Sequence, residues 1–198
     1  MTKLCVITPT IGRKTLRRLL TSARLQEGDE WFVIGDGPQP GAERVCKELA
    51  VLPYLRYVEG PETRDWGNSQ RDLGMRLSLA DYFIFADDDD VFNSGAIKTI
   101  RQHAGQSPGK PFLFRIWHNG GVIWTSQELS PGNVGGAMFV VPNDPRRLSH
   151  WADDMSYVSD MAFIENTLKF YKPTDLIWSG EIIQIMKPET SEQWKHLA

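Results

Sequence analysis

The chain has 198 residues, 41% of them hydrophobic and 24% charged, which fits one globular domain rather than a disordered or membrane chain. Its formal net charge of −3 supplies no global basic field for nucleic acid, although a local patch would suffice. The two cysteines, Cys5 and Cys46, fall within apolar patterns and read as buried free thiols; with no signal-peptide core or membrane-length apolar run, this predicts a cytoplasmic protein.

Leu4-Cys5-Val6-Ile7 is a continuous apolar run, as in a strand buried on both faces, and Thr8-Pro9-Thr10-Ile11-Gly12-Arg13 ends it as a turn. Leu16, Leu19, Leu20 and Ala23 then recur at helical spacing. Trp31-Phe32-Val33-Ile34 predicts a second buried strand, closed by Gly35-Asp36-Gly37-Pro38. A helix from about Ala42 presents Val45, Cys46 and Leu49, and Leu55 to Val58 predicts a third strand. A polar loop with Arg64, Asp65, Trp66 and Gly67 leads to a helix from about Ser69 to Ala80, with Leu73, Leu77 and Ala80 inward. Tyr82-Phe83-Ile84-Phe85 predicts a fourth strand that runs into Asp87-Asp88-Asp89-Asp90. Ser94-Gly95-Ala96-Ile97 opens a helix that aligns Ile97, Ile100 and Ala104.

Beyond residue 110 the pattern changes. Phe112 to Trp117 and Val122 to Trp124, around His118-Asn119-Gly120-Gly121, predict an antiparallel hairpin. Gly135-Gly136 opens a strand reaching Val141, and Asn143-Asp144-Pro145 caps a short helix. Ser159 caps a longer helix with Met161, Ile164 and Leu168 inward, and Leu176 to Trp178 and Glu181 to Met186 close the chain as extended segments. The β-α-β-α-β order predicts a sheet, mostly parallel in the N-terminal half, with helices on both faces. No linker divides it, so residues 1–198 read as one domain: a nucleotide-binding half over about 1–105 and a partner-substrate half over about 106–198.

Four adjacent carboxylates at the end of a core strand call for positive charge, and a hard divalent cation, Mg²⁺ or Mn²⁺, suits their oxygens. Alternation along an extended backbone puts Asp87 and Asp89 on one face as ligands, with Asp88 and Asp90 on the other in support. The plainer alternative is a solvated acidic turn, with Asp90 or Asn93 capping the next helix. Asp36, at the carboxyl end of a strand where ligands of open α/β sheets gather, suits a nucleobase N–H or a ribose hydroxyl; it equally suits a turn aspartate bonding its own backbone.

These pieces together resemble the family 2-type glycosyltransferases of GT-A fold. The likeness is carried by Val6-Ile7-Thr8-Pro9-Thr10, Ile34-Gly35-Asp36-Gly37, Gly67-Asn68-Ser69-Gln70-Arg71-Asp72-Leu73-Gly74 and Phe85-Ala86-Asp87-Asp88-Asp89-Asp90, the last similar to that family's DXD metal motif. The resemblance covers about residues 4 to 100. It implies a GT-A-like, Rossmann-type mixed sheet and a metal-dependent transfer of sugar from a nucleotide-diphosphate sugar, a UDP-sugar favoured, to an acceptor hydroxyl with inversion.

It also implies roles. Asp36 binds base or ribose; Thr8, Pro9 and Thr10 line the base pocket; Arg71 lies near the nucleotide. Asp87 touches ribose or sugar and, with Asp89, holds Mn²⁺ or Mg²⁺. Asp88 and Trp66 complete the donor-binding candidates, the tryptophan by stacking on base or sugar. Asp160, at a helix start, is the catalytic base that deprotonates the acceptor, with Asp153 and Asp154 as competitors. A third metal ligand, often a late histidine in related enzymes, has no clear candidate in His150 or His196. Gln193-Trp194-Lys195 lacks the arginine and spacing of a processive-synthase motif. The acceptor is a saccharide, a lipid-linked saccharide, a protein or a modified DNA base, for which Arg13, Lys14, Arg17, Arg18, Arg146 and Arg147 supply local charge. The competing readings are a sugar-phosphate nucleotidyltransferase, disfavoured because Thr8 to Lys14 holds only Gly12, and a non-catalytic nucleotide-sugar-binding domain.

Overall fold

The structure, a computed structural model, describes residues 1–118, 120–123, 125–151 and 158–188. Four parallel strands, β1 (Leu4–Thr10), β2 (Glu30–Gly35), β3 (Leu55–Glu59) and β4 (Tyr82–Phe85), lie in the order β3-β2-β1-β4. They alternate with α1 (Leu16–Ser22), α2 (Pro40–Glu48) and α3 (Asn68–Leu77). Every residue of β1 and β4 is buried, because helices cover both faces. Alternate side chains go to opposite cores: Leu4 and Val6 pack with Leu16, Leu19 and Trp31, whereas Cys5 and Ile7 pack with Phe83, Phe163 and Ile164.

The second half supplies β5 (Val91–Phe92), α4 (Ala96–Gln106), β6 (Phe112–His118), β7 (Gly121–Ile123), β8 (Phe139–Pro142), α5 (Ser159–Leu168) and β9 (Ile177–Ile185). The sheet continues from β4 through β8, β6 and β9 to β5, with β7 paired to β6 alone. β8 runs antiparallel to β4, and β5 antiparallel to β9, so the sheet is mixed as expected. In a flat sheet β9 would stand about 14 Å from β4, three strand spacings away. Instead Gln184 Nε2 on β9 donates to the Phe85 carbonyl of β4 at 2.7 Å. The sheet therefore curls, and its far edge returns to the carboxyl end of β4.

Several expectations change. Thr8-Pro9-Thr10 is strand, not turn, and pairs with β2 as far as Thr10 and Gly35. Proline is tolerated there because pairing with β4 stops at Ile7 and Phe85, so the missing N–H faces no partner strand. α3 ends at Leu77, which is 43% exposed rather than inward. Gly136–Met138 is a 3₁₀ turn and only Phe139 onward is strand. Asn143-Asp144-Pro145 forms a turn, closed by the Arg147 N–H on the Asp144 carbonyl, and starts no helix. The two closing segments merge into β9, which pairs with β6 through register shifts around Arg115. Among the described residues no helix is long and apolar enough to cross a membrane.

Candidate active site

The four aspartates follow Ala86, one residue past the end of β4, and do not continue the strand. They form a turn closed by the Asp90 N–H on the Asp87 carbonyl at 3.1 Å. Strand alternation fails once the backbone curls, so the expected pairing of faces is corrected: Asp90 joins Asp87 and Asp89, with one carboxylate oxygen of each lying within 4.8 Å of the others. Asp88 points away. Its Oδ2 accepts the Thr10 hydroxyl at 2.6 Å and its Oδ1 accepts Arg13 Nη1 at 2.5 Å, so each oxygen of a carboxylate only 1% exposed has a partner. Arg13 also stands 3.6 Å from Asp89, and Arg18 donates to the Asp89 carbonyl, so α1 and the loop before it hold the turn in place.

Burial raises the Asp89 carboxyl above its ordinary value, opposed by Arg13. Burial raises Asp90 further, and the nearby Asp87 charge adds to it. Asp90 Oδ1 accepts the Lys187 N–H at 3.1 Å, whereas its buried Oδ2 has no hydrogen-bond partner. An orphaned buried carboxyl oxygen beside two further carboxylates fits a hard divalent cation, because such an ion supplies the missing charge and takes oxygen ligands.

The β1 and β2 ends frame this turn. The Thr8 hydroxyl accepts Trp31 Nε1 at 3.1 Å, and Thr8 and Thr10 are 0% and 3% exposed. Thr8, Pro9 and Thr10 thus form a buried floor, where a lining was expected. The Asp36 carboxylate does not bond the backbone of its own turn. It accepts the N–H groups of Thr63 (2.7 Å) and Arg64 (3.1 Å) and the Gln70 amide (3.1 Å), fixing the loop before α3. That loop is conformationally demanding, with left-handed φ at Arg64 (54°), Trp66 (62°) and Gly67 (86°). It presents Trp66 66% exposed to solvent, not packed on the core.

α3 carries Arg71 inward, where it is 5% exposed. Its Nη2 bonds Asp87 Oδ1 at 2.6 Å, its Nη1 donates to the Trp66 carbonyl at 2.9 Å, and its guanidinium lies 4.6 Å from the Trp151 ring centre. The ion pair is therefore internal to the site rather than on a helix surface. From the second half, the first turn of α5 brings Asp160, whose Oδ2 accepts the Gly136 N–H at 2.7 Å. Burial raises the Asp160 carboxyl; the facing Arg71 lowers it, the Asp87 charge raises it and the Gly136 N–H lowers it. Asp160 thus sits in the field of the Arg71–Asp87 pair, although α3 and α5 lie far apart in the chain.

Gly136 and Trp151 belong to this constellation and carried no sequence signal beyond a glycine pair. Asp153, Asp154, His196 and Gln193-Trp194-Lys195 lie outside the described residues. His150 is exposed. Asn133 holds its own loop, donating to the Ser126 and Glu128 carbonyls. The cations considered for nucleic acid are largely engaged: Arg13 on Asp88, Arg17 on Glu48, Arg146 on Asp144 and Arg147 over the Tyr171 ring.

Residues 5–132, more than half of the chain, match the family model described as glycosyl transferase family 2. A relative from Haemophilus influenzae, described as an uncharacterized glycosyltransferase, is 24% identical over 144 residues, 71% of this chain and 49% of its own. The chain therefore spans about half the length of the curated relative it matches. Among solved structures, S. aureus TarS superposes with a TM-score of 0.78 at 15% identity, over 95% of this chain and 37% of that one. TarS 1-349 in complex with UDP-GlcNAc gives a TM-score of 0.73 at 14% identity, over 93% and 58%. The shared fold and the family match together lead to one assignment: this chain belongs to glycosyl transferase family 2.

Proposed function

We propose that the chain is a metal-dependent glycosyltransferase that moves a sugar from a nucleotide-diphosphate sugar, a UDP-sugar favoured, to an acceptor hydroxyl by one inverting displacement. The observation that carries this reading is the meeting of Asp160 from α5 with the Arg71–Asp87 pair on the acidic turn. A base and a phosphate-facing carboxylate set, drawn from opposite halves of the chain, suit a reaction between two substrates. The UDP-GlcNAc and UDP complexes of TarS support a uridine nucleotide as donor.

Asp160 acts as the general base that takes the acceptor proton; burial, which raises its carboxyl, suits that task, because a stronger base accepts a proton more readily. Arg71 orients Asp87 and limits how far the Asp160 carboxyl rises. Asp87 and Asp89 would hold Mg²⁺ or Mn²⁺, which supplies Lewis-acid stabilisation of the departing diphosphate. Thr8, Pro9 and Thr10 shape the floor of the donor site, with Thr10 and Asp88 bracing the acidic turn. Asp36 acts through the loop it anchors, which offers the exposed Trp66 for stacking on base or sugar. The engaged arginines favour a saccharide, lipid-linked or protein acceptor over DNA. Two free buried cysteines suit the reducing cytoplasm.

The test is thermal stability with a panel of sugar nucleotides, with and without Mn²⁺. A true donor at 100 times its Kd stabilises by about 2.7 kcal/mol, and the gain should require metal. Asp160→Asn should keep that gain and lose transfer; unchanged transfer would remove the base assignment, and donor binding without transfer by the unsubstituted chain would favour a binding domain. No metal-dependent gain across a broad panel would overturn the main reading.

A further inference from the structure

We infer that Asp90 is a third ligand of the metal, so that the acidic turn itself provides what sequence reasoning sought in a late histidine. The inference rests on the metal dependence proposed above. A cluster of acids alone would be only a solvated turn, but Asp90 is not solvated: it is 1% exposed. Its two oxygens are distinct. Oδ1 is taken by the Lys187 N–H at 3.1 Å, Oδ2 is buried without a hydrogen-bond partner, and one of the two oxygens lies within 4.8 Å of those that Asp87 and Asp89 offer.

The turn explains why this arises. The Asp90 N–H on the Asp87 carbonyl folds the backbone so that residues 87, 89 and 90 share one side, while Asp88 is drawn off by Thr10 and Arg13. Opposite ligands of an octahedral Mg²⁺ at about 2.1 Å lie about 4.2 Å apart. Adjacent ligands lie about 3.0 Å apart, so three oxygens within 4.8 Å of one another close on such an ion by movements of about 1 Å. Lys187, two residues past the end of β9, gives its N–H to the turn, which fixes Asp90 through Oδ1 and leaves Oδ2 available to the ion.

Mn²⁺ alone serves as the probe. Calorimetric titration of the full chain should show Asp90→Asn weakening Mn²⁺ at least tenfold more than Asp88→Asn, which removes one negative charge from the same turn but no ligand. Asparagine is isosteric, and Tm without metal checks that both variants fold. Counting Mn²⁺-bound water by electron spin echo in H₂¹⁷O needs no variant: three protein oxygens on a six-coordinate ion leave about three waters, and two leave about four. Equal losses from the two variants, or four waters in the unsubstituted protein, would overturn the role of Asp90 while leaving metal dependence standing. Failure of the unsubstituted protein to bind Mn²⁺ at millimolar concentration, alone and with UDP, would overturn both.

Discussion

Gly136 has no side chain because the site leaves no room for one. A Cβ there would stand 2.8 Å from Trp151 Cη2 and 3.3 Å from Asp160 Oδ2. The indole cannot retreat, since it stacks on Phe163 at 4.2 Å and lies under the Arg71 guanidinium. In Gly136→Ala the carboxylate therefore yields, and it loses the N–H that favours its charged form. Overpacking of this kind costs about 1–3 kcal/mol. Transfer should fall at least tenfold, beyond what lost stability explains. The pH dependence has a definite sign. Asp160 must be charged to take a proton, so activity rises with pH through a value above the ordinary 3.8. Losing the Gly136 N–H raises the carboxyl again and moves that acid limb to higher pH. For stability the sign reverses: a raised folded value contributes stability below 3.8 that is lost as pH rises through it. A pH–rate profile with an unmoved limb and a nearly normal maximum would mean that Gly136 is packing alone.

At the scale of elements, α3 is the part on which both halves of the site depend. It lies flush on the sheet because Gly74 faces it: a Cβ would meet Ile7 Cγ2 at 2.6 Å and Ile34 Cδ1 at 3.1 Å. That closeness lets three inward residues work at once. Arg71 reaches Asp87, the Asn68 Oδ1 accepts the Ser159 hydroxyl at 3.2 Å, and Asp72 Oδ1 accepts the Trp151 N–H at 2.9 Å. Two effects compete in Gly74→Ala. Helix propensity favours alanine by about 1 kcal/mol, and overpacking costs about 1–3 kcal/mol. With Ile7 buried in a central strand, overpacking wins. Urea unfolding should show a net loss of up to about 2 kcal/mol at unchanged m, with a larger proportional loss of transfer as Arg71 lifts from Asp87. Stabilisation by about 1 kcal/mol would show that α3 has slack against the sheet. The sequence made α3 and its arginine visible through the spacing after Gly67, and the unbroken apolar runs of β1, β2 and β4 were equally plain. Asp90 was not visible, because alternation holds only on extended backbone and β4 ends at Phe85. Nor were the partners of Asp36, since pairing with N–H groups of a loop far along the chain leaves no local pattern.

For the whole molecule, the proposed division into a nucleotide half and an acceptor half marks no mechanical boundary. β8 pairs with β4 at Tyr82 and Pro142, Phe83 and Val141, and Ile84 and Val140, joining the halves through the middle of one sheet. Gln184 closes the curl from the other side, bonding both the Phe85 and Ala137 carbonyls. One cooperative unit is the expectation, and the cysteines report it. Cys5 lies on β1 between β2 and β4 and is 0% exposed; Cys46 lies on α2 and is 6% exposed. Burial pushes both thiols up to about 12, so neither offers the thiolate that reacts with a disulfide reagent at neutral pH. Labelling must then wait for opening. Cys5, paired on both sides, opens only when the sheet does. Under low urea, its labelling rate should rise with the slope of global unfolding. If the chain is one unit, Cys46 follows the same line. A Cys46 rate that is fast and insensitive to urea would show α2 opening by itself. A fast, urea-insensitive Cys5 would break the single-unit expectation at its centre, since β1 is the strand against which both β4 and α3 are set.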